Sequence, residues 1–174
     1  MSTSSRSSNL WKGALAGLVG GLVGSWVKSQ VEPPLQRLAE SIAPPTHREK
    51  EQPGADIAGK PERMPPATLA QKLTDETLST DEKLEAQEGI HYVFGGGAGI
   101  AYGVLAETLP VSAGFGMPAA AALWAGTHLT TLPAADLSAD PDELPVSAHL
   151  WEFGSHLVFG FTVDLVRRGV RAVL

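Results

Sequence analysis

The sequence predicts an all-α integral membrane protein, a helical bundle of about four transmembrane helices with a long, partly disordered loop between the first two. Three observations predict it. Four apolar windows of bilayer-crossing length punctuate the chain, glycines recur every four residues in two of them, and a proline-dense polar stretch separates the first window from the second.

The 174-residue chain has a net charge of −6 and no cysteine, which excludes a disulfide staple, a thiolate metal ligand and a thiol nucleophile. Its average composition conceals two materials. Residues 34–66 hold seven prolines, ten charges and no Phe, Tyr or Trp, while the flanking segments are rich in Gly, Ala, Val, Leu and Trp. The chain is acidic and its basic residues are dispersed, so no nucleic-acid partner is expected.

A disordered tail is expected over residues 1–9. The first transmembrane helix is expected over 10–31, where fifteen uncharged residues lie between Lys12 and Lys28 with Trp11 and Trp26 near the ends. A secretory signal peptide competes, but no Ala-x-Ala-like site follows Ser25. Residues 32–79 read as a polar, Pro-rich linker with too little apolar surface to offset ordering entropy. Within it, "PPATLAQKLTDETL" suggests a short amphipathic helix using Leu69, Leu73 and Leu78.

Residues 80–174 are expected to form a helical hairpin plus a fourth helix. The second span is "HYVFGGGAGIAYGVLAETL", residues 91–109, extended backwards to a Thr80 cap with Asp81 and Glu82 in the first turn. Its glycine run is no dinucleotide loop. Counting from Gly97, Tyr102 occupies the third glycine position and no strand precedes it. The third span is Gly114 to Leu132, with Pro118 tolerated near its start and Pro133 ending it. The fourth runs from Val146 to Val166, carries Glu152 and Asp164, and is followed by Arg167, Arg168 and Arg171.

The connection from Pro133 to Pro145 has four acidic residues and no Lys or Arg, whereas Arg6, Lys12 and the three late arginines flank the outer ends of the first and fourth windows. Both termini are therefore expected in the cytoplasm of a multi-pass inner-membrane protein. The eight basic residues from Lys28 to Lys83 oppose this, but long loops weigh little in the rule. Inside lipid, association depends on close packing, and Gly13, Gly17 and Gly21 in the first span and Gly95, Gly99 and Gly103 in the second each give a helix a flat side. These faces are expected to pack on each other or across a dimer interface.

The segments "GLVGGLVGSWVKSQVEPPLQR", "YGVLAETLP", "GTHLTTLP" and "WEFGSHLVFGFTVDLVRR" together resemble the YagU-like family of small bacterial inner-membrane proteins. The resemblance covers most of the chain except the tail before Leu10 and the stretch from about Ala39 to Gln87. It implies a multi-span inner-membrane protein of unknown biochemical activity and supplies no reaction.

Ionisable side chains cost about 2.5 to 3.5 kcal/mol each at the centre of a span and usually face protein or water. His149, Glu152 and His156 share one face of the fourth helix, and an up-and-down bundle would bring His91 and His128 to the same membrane surface. This His91, His128, His149, Glu152, His156 cluster reads as a proton-responsive site or a support for permeation. A metal site and purely structural hydrogen bonding compete with that reading, and no compact zinc motif is present. Glu107, Asp164, Arg167 and Arg168 form a second charged layer, read as an interfacial anchor. Ser155 adjoins His156 directly on one helix and lacks a Gly-x-Ser-x-Gly elbow. No enzyme, cofactor or metal is expected. The expected partners are the lipid bilayer and a second copy or another membrane protein, docked in the alternative reading as an assembly subunit through the glycine faces.

Overall fold

The computed structural model describes residues 3–74, 76–111 and 113–174, with side chains from Asn9 onward. The described residues are helical, with no strand among them. Four helices carry most of the chain: α1 (Thr3–Ile42), α4 (Thr80–Ala106), α5 (Met117–Gly126) and α7 (Val146–Val173). Shorter ones are α2 (His47–Lys50), α3 (Pro65–Leu73) and α6 (Leu132–Ala134), with a 3-10 turn at Pro61–Arg63 and a π turn at Thr127–Thr131. One described helix, over Asn9–Ile42, is long and apolar enough to cross a membrane. The other three expected spans are not matched on both counts. α4 and α7 are long but diluted by glycine and by His and Glu, and α5 has only 10 residues.

The tail and first span were expected to divide at residue 10 and end at 31, whereas α1 runs from Thr3 through Pro33 and Pro34 to Ile42. Two prolines remove two helical N–H donors, a usual helix stop. Here the turns beyond them are held from outside the helix: Gln36 and Glu40 bond to the following segment, and Leu35 and Ala39 pack on Trp151 and Met64.

Within the stretch expected to be a partly disordered linker, residues 32–73 form helices and turns. Thr46 caps α2 through a reciprocal capping box with Glu49, and Pro61 and Pro65 open the next two turns, where a missing N–H costs nothing. α3 exists, but it buries Pro65, Ala67 and Ala70 and leaves Leu73 exposed, so its contact face is not the leucine face. At the start of α4 the cap is Ser79, not Thr80: the Glu82 N–H donates to Ser79 Oγ and the Ser79 N–H donates to the Glu82 carboxylate. α5 begins at Met117, later than the expected Gly114, because Gly114, Phe115 and Gly116 all have positive φ.

The chain divides into two compact units. The first comprises Met1–Lys28, Tyr92–Ala121 and His156–Leu174. In it α1 lies antiparallel to α4 with backbones touching. A Cβ built on Gly13 would stand 2.6 Å from the Gly103 oxygen, one on Gly99 would stand 2.8 Å from the Gly21 Cα, and one on Gly103 2.9 Å from the Gly17 Cα. Gly95 meets Gly21 and Ser25 in the same way. Gly20 and Gly24 rest on Val163 and Phe159 of α7, and Gly116 and Ala120 rest on Gly160. Outward from this packing stand Trp11, Leu15, Trp26, Val93, Phe94, Ile100, Leu105, Phe161 and Leu165.

The second unit comprises Ser29–His91 and Ala122–Ser155. Its core has two small clusters, Ala39, Met64 and Trp151 with Leu35 and Ile57 against them, and Ala55, Ala139, Leu144 and Ala148. The Ala139 N–H donates to the Pro53 carbonyl at 3.0 Å, tying the two chain segments together. A polar clasp surrounds buried Gln36. Its amide nitrogen donates to Asp56 at 2.6 Å and Glu40 at 2.7 Å, and its oxygen accepts from the Ala58 N–H at 2.9 Å. Burial alone would raise the Asp56 carboxyl, but the bonds from Gln36 and the Gly59 N–H and the nearby Lys50 ammonium outweigh it and lower its pKa. Burial would lower Lys50, and its contacts with Glu40 and Asp56 raise it instead.

Candidate functional site

Within the second unit, α5 gives way to the π turn because threonines compete for its carbonyls. Thr127 donates to the Leu123 oxygen at 2.8 Å and Thr131 to the Gly126 oxygen at 2.7 Å. Such back-bonding loosens the helical ladder and permits a wider turn. The π turn carries His128, whose Nδ1 lies 2.9 Å from Glu152 Oε2 on α7. The Glu152 side chain is 2% exposed and that of His128 15%.

His149, one turn before Glu152, is oriented differently. Its Nε2 donates to the Pro141 carbonyl at 2.8 Å, and its Nδ1 is buried with no hydrogen-bond partner among the described residues. The Trp124 ring stands edge-on to His149 at 6.4 Å and packs against Phe153 at 5.1 Å. Ser155 donates to the Glu152 carbonyl at 2.9 Å, a bond along its own helix.

The five residues drawn together from the sequence fall in both units. His128 and Glu152 meet, His149 turns to Pro141 and Trp124, and His91 is half-buried on α4 in the same unit. His156 is buried in the first unit.

The second layer lies in the first unit. Buried Asp164 accepts from Arg167 at 2.9 Å and from Arg168 at 2.7 Å, and Glu107 accepts from Arg171 at 2.8 Å. The Arg167 guanidinium also stands over the Tyr102 ring at 5.8 Å. Both glycine faces in this unit are covered by each other. No group of three or more His, Asp or Glu side chains able to hold a metal occurs among the described residues.

Residues 22–165 match the family model DUF1440, described as a protein of unknown function. The chain belongs to the DUF1440 family. The matched region spans His91, Glu107, His128, His149, Glu152, His156 and Asp164, and it leaves Gly13, Gly17, Gly21, Arg167, Arg168 and Arg171 outside. The DUF1440 description carries the coarser part of the resemblance noted above, an uncharacterised family, and not the YagU-like name. No curated protein and no solved structure is matched.

Among the buried polar residues of this DUF1440 chain not singled out from the sequence are Glu32 and Gln36 on α1. A signal was present. Ser25, Ser29, Glu32 and Gln36 recur at i, i+4, i+7 and i+11, one face of a helix, but Pro33 and Pro34 read as the end of that helix.

Proposed function

We propose that this chain is a non-enzymatic, multi-span protein of the bacterial inner membrane, with both termini cytoplasmic, in which the His128 and Glu152 pair responds to protons. The observation that carries the membrane reading is the inverted placement of side chains in the first unit. Val93 is 75% exposed, Phe94 66% and Trp26 56%, while Ser25, His156, Asp164 and Arg167 are buried. A water-soluble unit of this size rarely leaves such an apolar exterior around a polar interior, and hydrocarbon as solvent accounts for both at once. Lys12 and Arg171 at one end of the unit support a cytoplasmic placement of that end.

The proton reading rests on the 2.9 Å contact between two shielded groups on different elements, one of them held by a π turn. Histidine is the side chain whose ordinary titration falls between pH 5 and 8. Trp124, beside His149, is a built-in reporter. In proteoliposomes, tryptophan emission is expected to shift across pH 5 to 8 in the native chain and to lose that shift in H128Q and E152Q at unchanged membrane abundance. An identical titration in all three proteins would remove the proton reading. The alternative, an assembly subunit docking through its glycine faces, is less well supported, because those faces are occupied within the chain.

A further inference from the structure

At one end of the first unit, the start of α1 and the ends of α4 and α7 assemble a charged layer with more cations than anions. Lys12 donates to the Leu174 carbonyl oxygen, and Arg171 bonds Glu107 at 2.8 Å and the Asn9 amide oxygen at 3.2 Å. Asp164 holds both Arg167 and Arg168. Two side-chain carboxylates, besides the Leu174 oxygen that Lys12 meets, thus stand against four basic side chains among those described.

The two arginines on Asp164 are not equivalent. Arg167 is 8% exposed, while Arg168 is 47% exposed and lies 5.1 Å over the Phe115 ring. In the same unit Trp11, Leu109, Phe115 and Leu165 are each about half exposed. A guanidinium over an aromatic ring sits where hydrocarbon gives way to headgroups.

We propose that this end of the first unit, centred on Arg168, binds the phosphate of an anionic phospholipid headgroup. The inference rests on the membrane reading above. A phosphate diester offers oxygens that match the guanidinium fork, and its acyl chains would cover exposed apolar side chains of the unit, which a free phosphate would not. The excess positive charge favours an anionic over a zwitterionic lipid.

The test uses the full chain purified in neutral detergent, with phosphatidylglycerol, phosphatidylcholine or inorganic phosphate added. Phosphatidylglycerol is expected to raise the melting temperature by at least about 3 °C more than phosphatidylcholine, with no such rise from inorganic phosphate. R168Q, which leaves Asp164 paired with Arg167, is expected to lose at least half of that preference, and R63Q in the second unit to keep it. Native mass spectrometry of the unmutated chain in an equimolar lipid mixture provides an independent reading, with phosphatidylglycerol retained at least about threefold over phosphatidylcholine. Equal shifts with both lipids, an unaltered preference in R168Q, or full reproduction by inorganic phosphate would overturn the inference. Stabilisation by lipid regardless of headgroup charge would remove this inference alone, whereas a chain that stays in solution without detergent would remove the membrane reading with it.

Discussion

In the first unit, Gly17, Gly21, Gly99 and Gly103 bring two helix backbones into contact while Val93, Phe94 and Trp26 face outward; in the second, Trp151, Met64 and Ala39 are packed inside and Lys50, Glu51 and Lys60 keep partly exposed charges. The same helices α1, α4, α5 and α7 contribute to both units, so helix content does not distinguish them. On the membrane reading proposed above, the solvent each surface suits does. A surface with no hydrophobic gain from association relies on shape and on shielded polar pairs, and a surface in water relies on apolar burial beneath charged caps.

The largest expected effect tests the second half of that comparison. Trp151→Ala should cost about 3–5 kcal/mol, because a fully buried indole leaves a cavity between Ala39 and Met64. Faster proteolysis within the 43–64 segment is the measurement, and cleavage at the native rate would show that this core does not hold the segment.

Next is the glycine interface. Gly99→Ala should cost about 1–3 kcal/mol, since its methyl would fall 2.8 Å from the Gly21 backbone, which has no flexible end to yield. Denaturant titration in detergent micelles reads this directly.

Strong acid should weaken the second unit. The Asp56 carboxyl is lowered, so its contribution is complete above the ordinary aspartate range and is lost as pH falls through the depressed value. Asp56→Asn should remove that acid sensitivity and cost about 1–2 kcal/mol at neutral pH. A stability profile of the variant that still falls in acid as steeply as the native one would place the sensitive group elsewhere.

The smallest effect sharpens the first half. Gly97 lies two residues from Gly99 with nothing near its would-be Cβ, so Gly97→Ala should be neutral or stabilising by up to about 1 kcal/mol through helix propensity. Equal damage at positions 97 and 99 would mean that composition, and not the contact with α1, makes glycine necessary.

The glycine faces were legible in the sequence because a four-residue period is a property of one helix, and the Asp164 pairs with Arg167 and Arg168 because they lie within a turn of each other. The fold of residues 43–73 was not legible. Its order comes from a capping box, a clasp around Gln36 and a core of alanines, none of which raises local hydrophobicity. The site was legible in part. His128 and Glu152 stood out as ionisable groups in apolar windows, but their pairing depends on threonine back-bonding that opens a π turn, which no periodicity announces. Glu32 and Gln36 were hidden behind two prolines that did not end their helix.

The chain has no native cysteine, so single substitutions can report which solvent each position meets. Labelling in intact and in disrupted membrane vesicles with a membrane-impermeant maleimide, at Val23→Cys, Val93→Cys and Phe161→Cys against Arg48→Cys and Asp140→Cys, is the most direct measurement. The account predicts that the first three stay unlabelled even after the vesicles are opened, while the last two react once their side is accessible. Comparable labelling of all five in opened vesicles would place the apolar exterior of the first unit in water and contradict it.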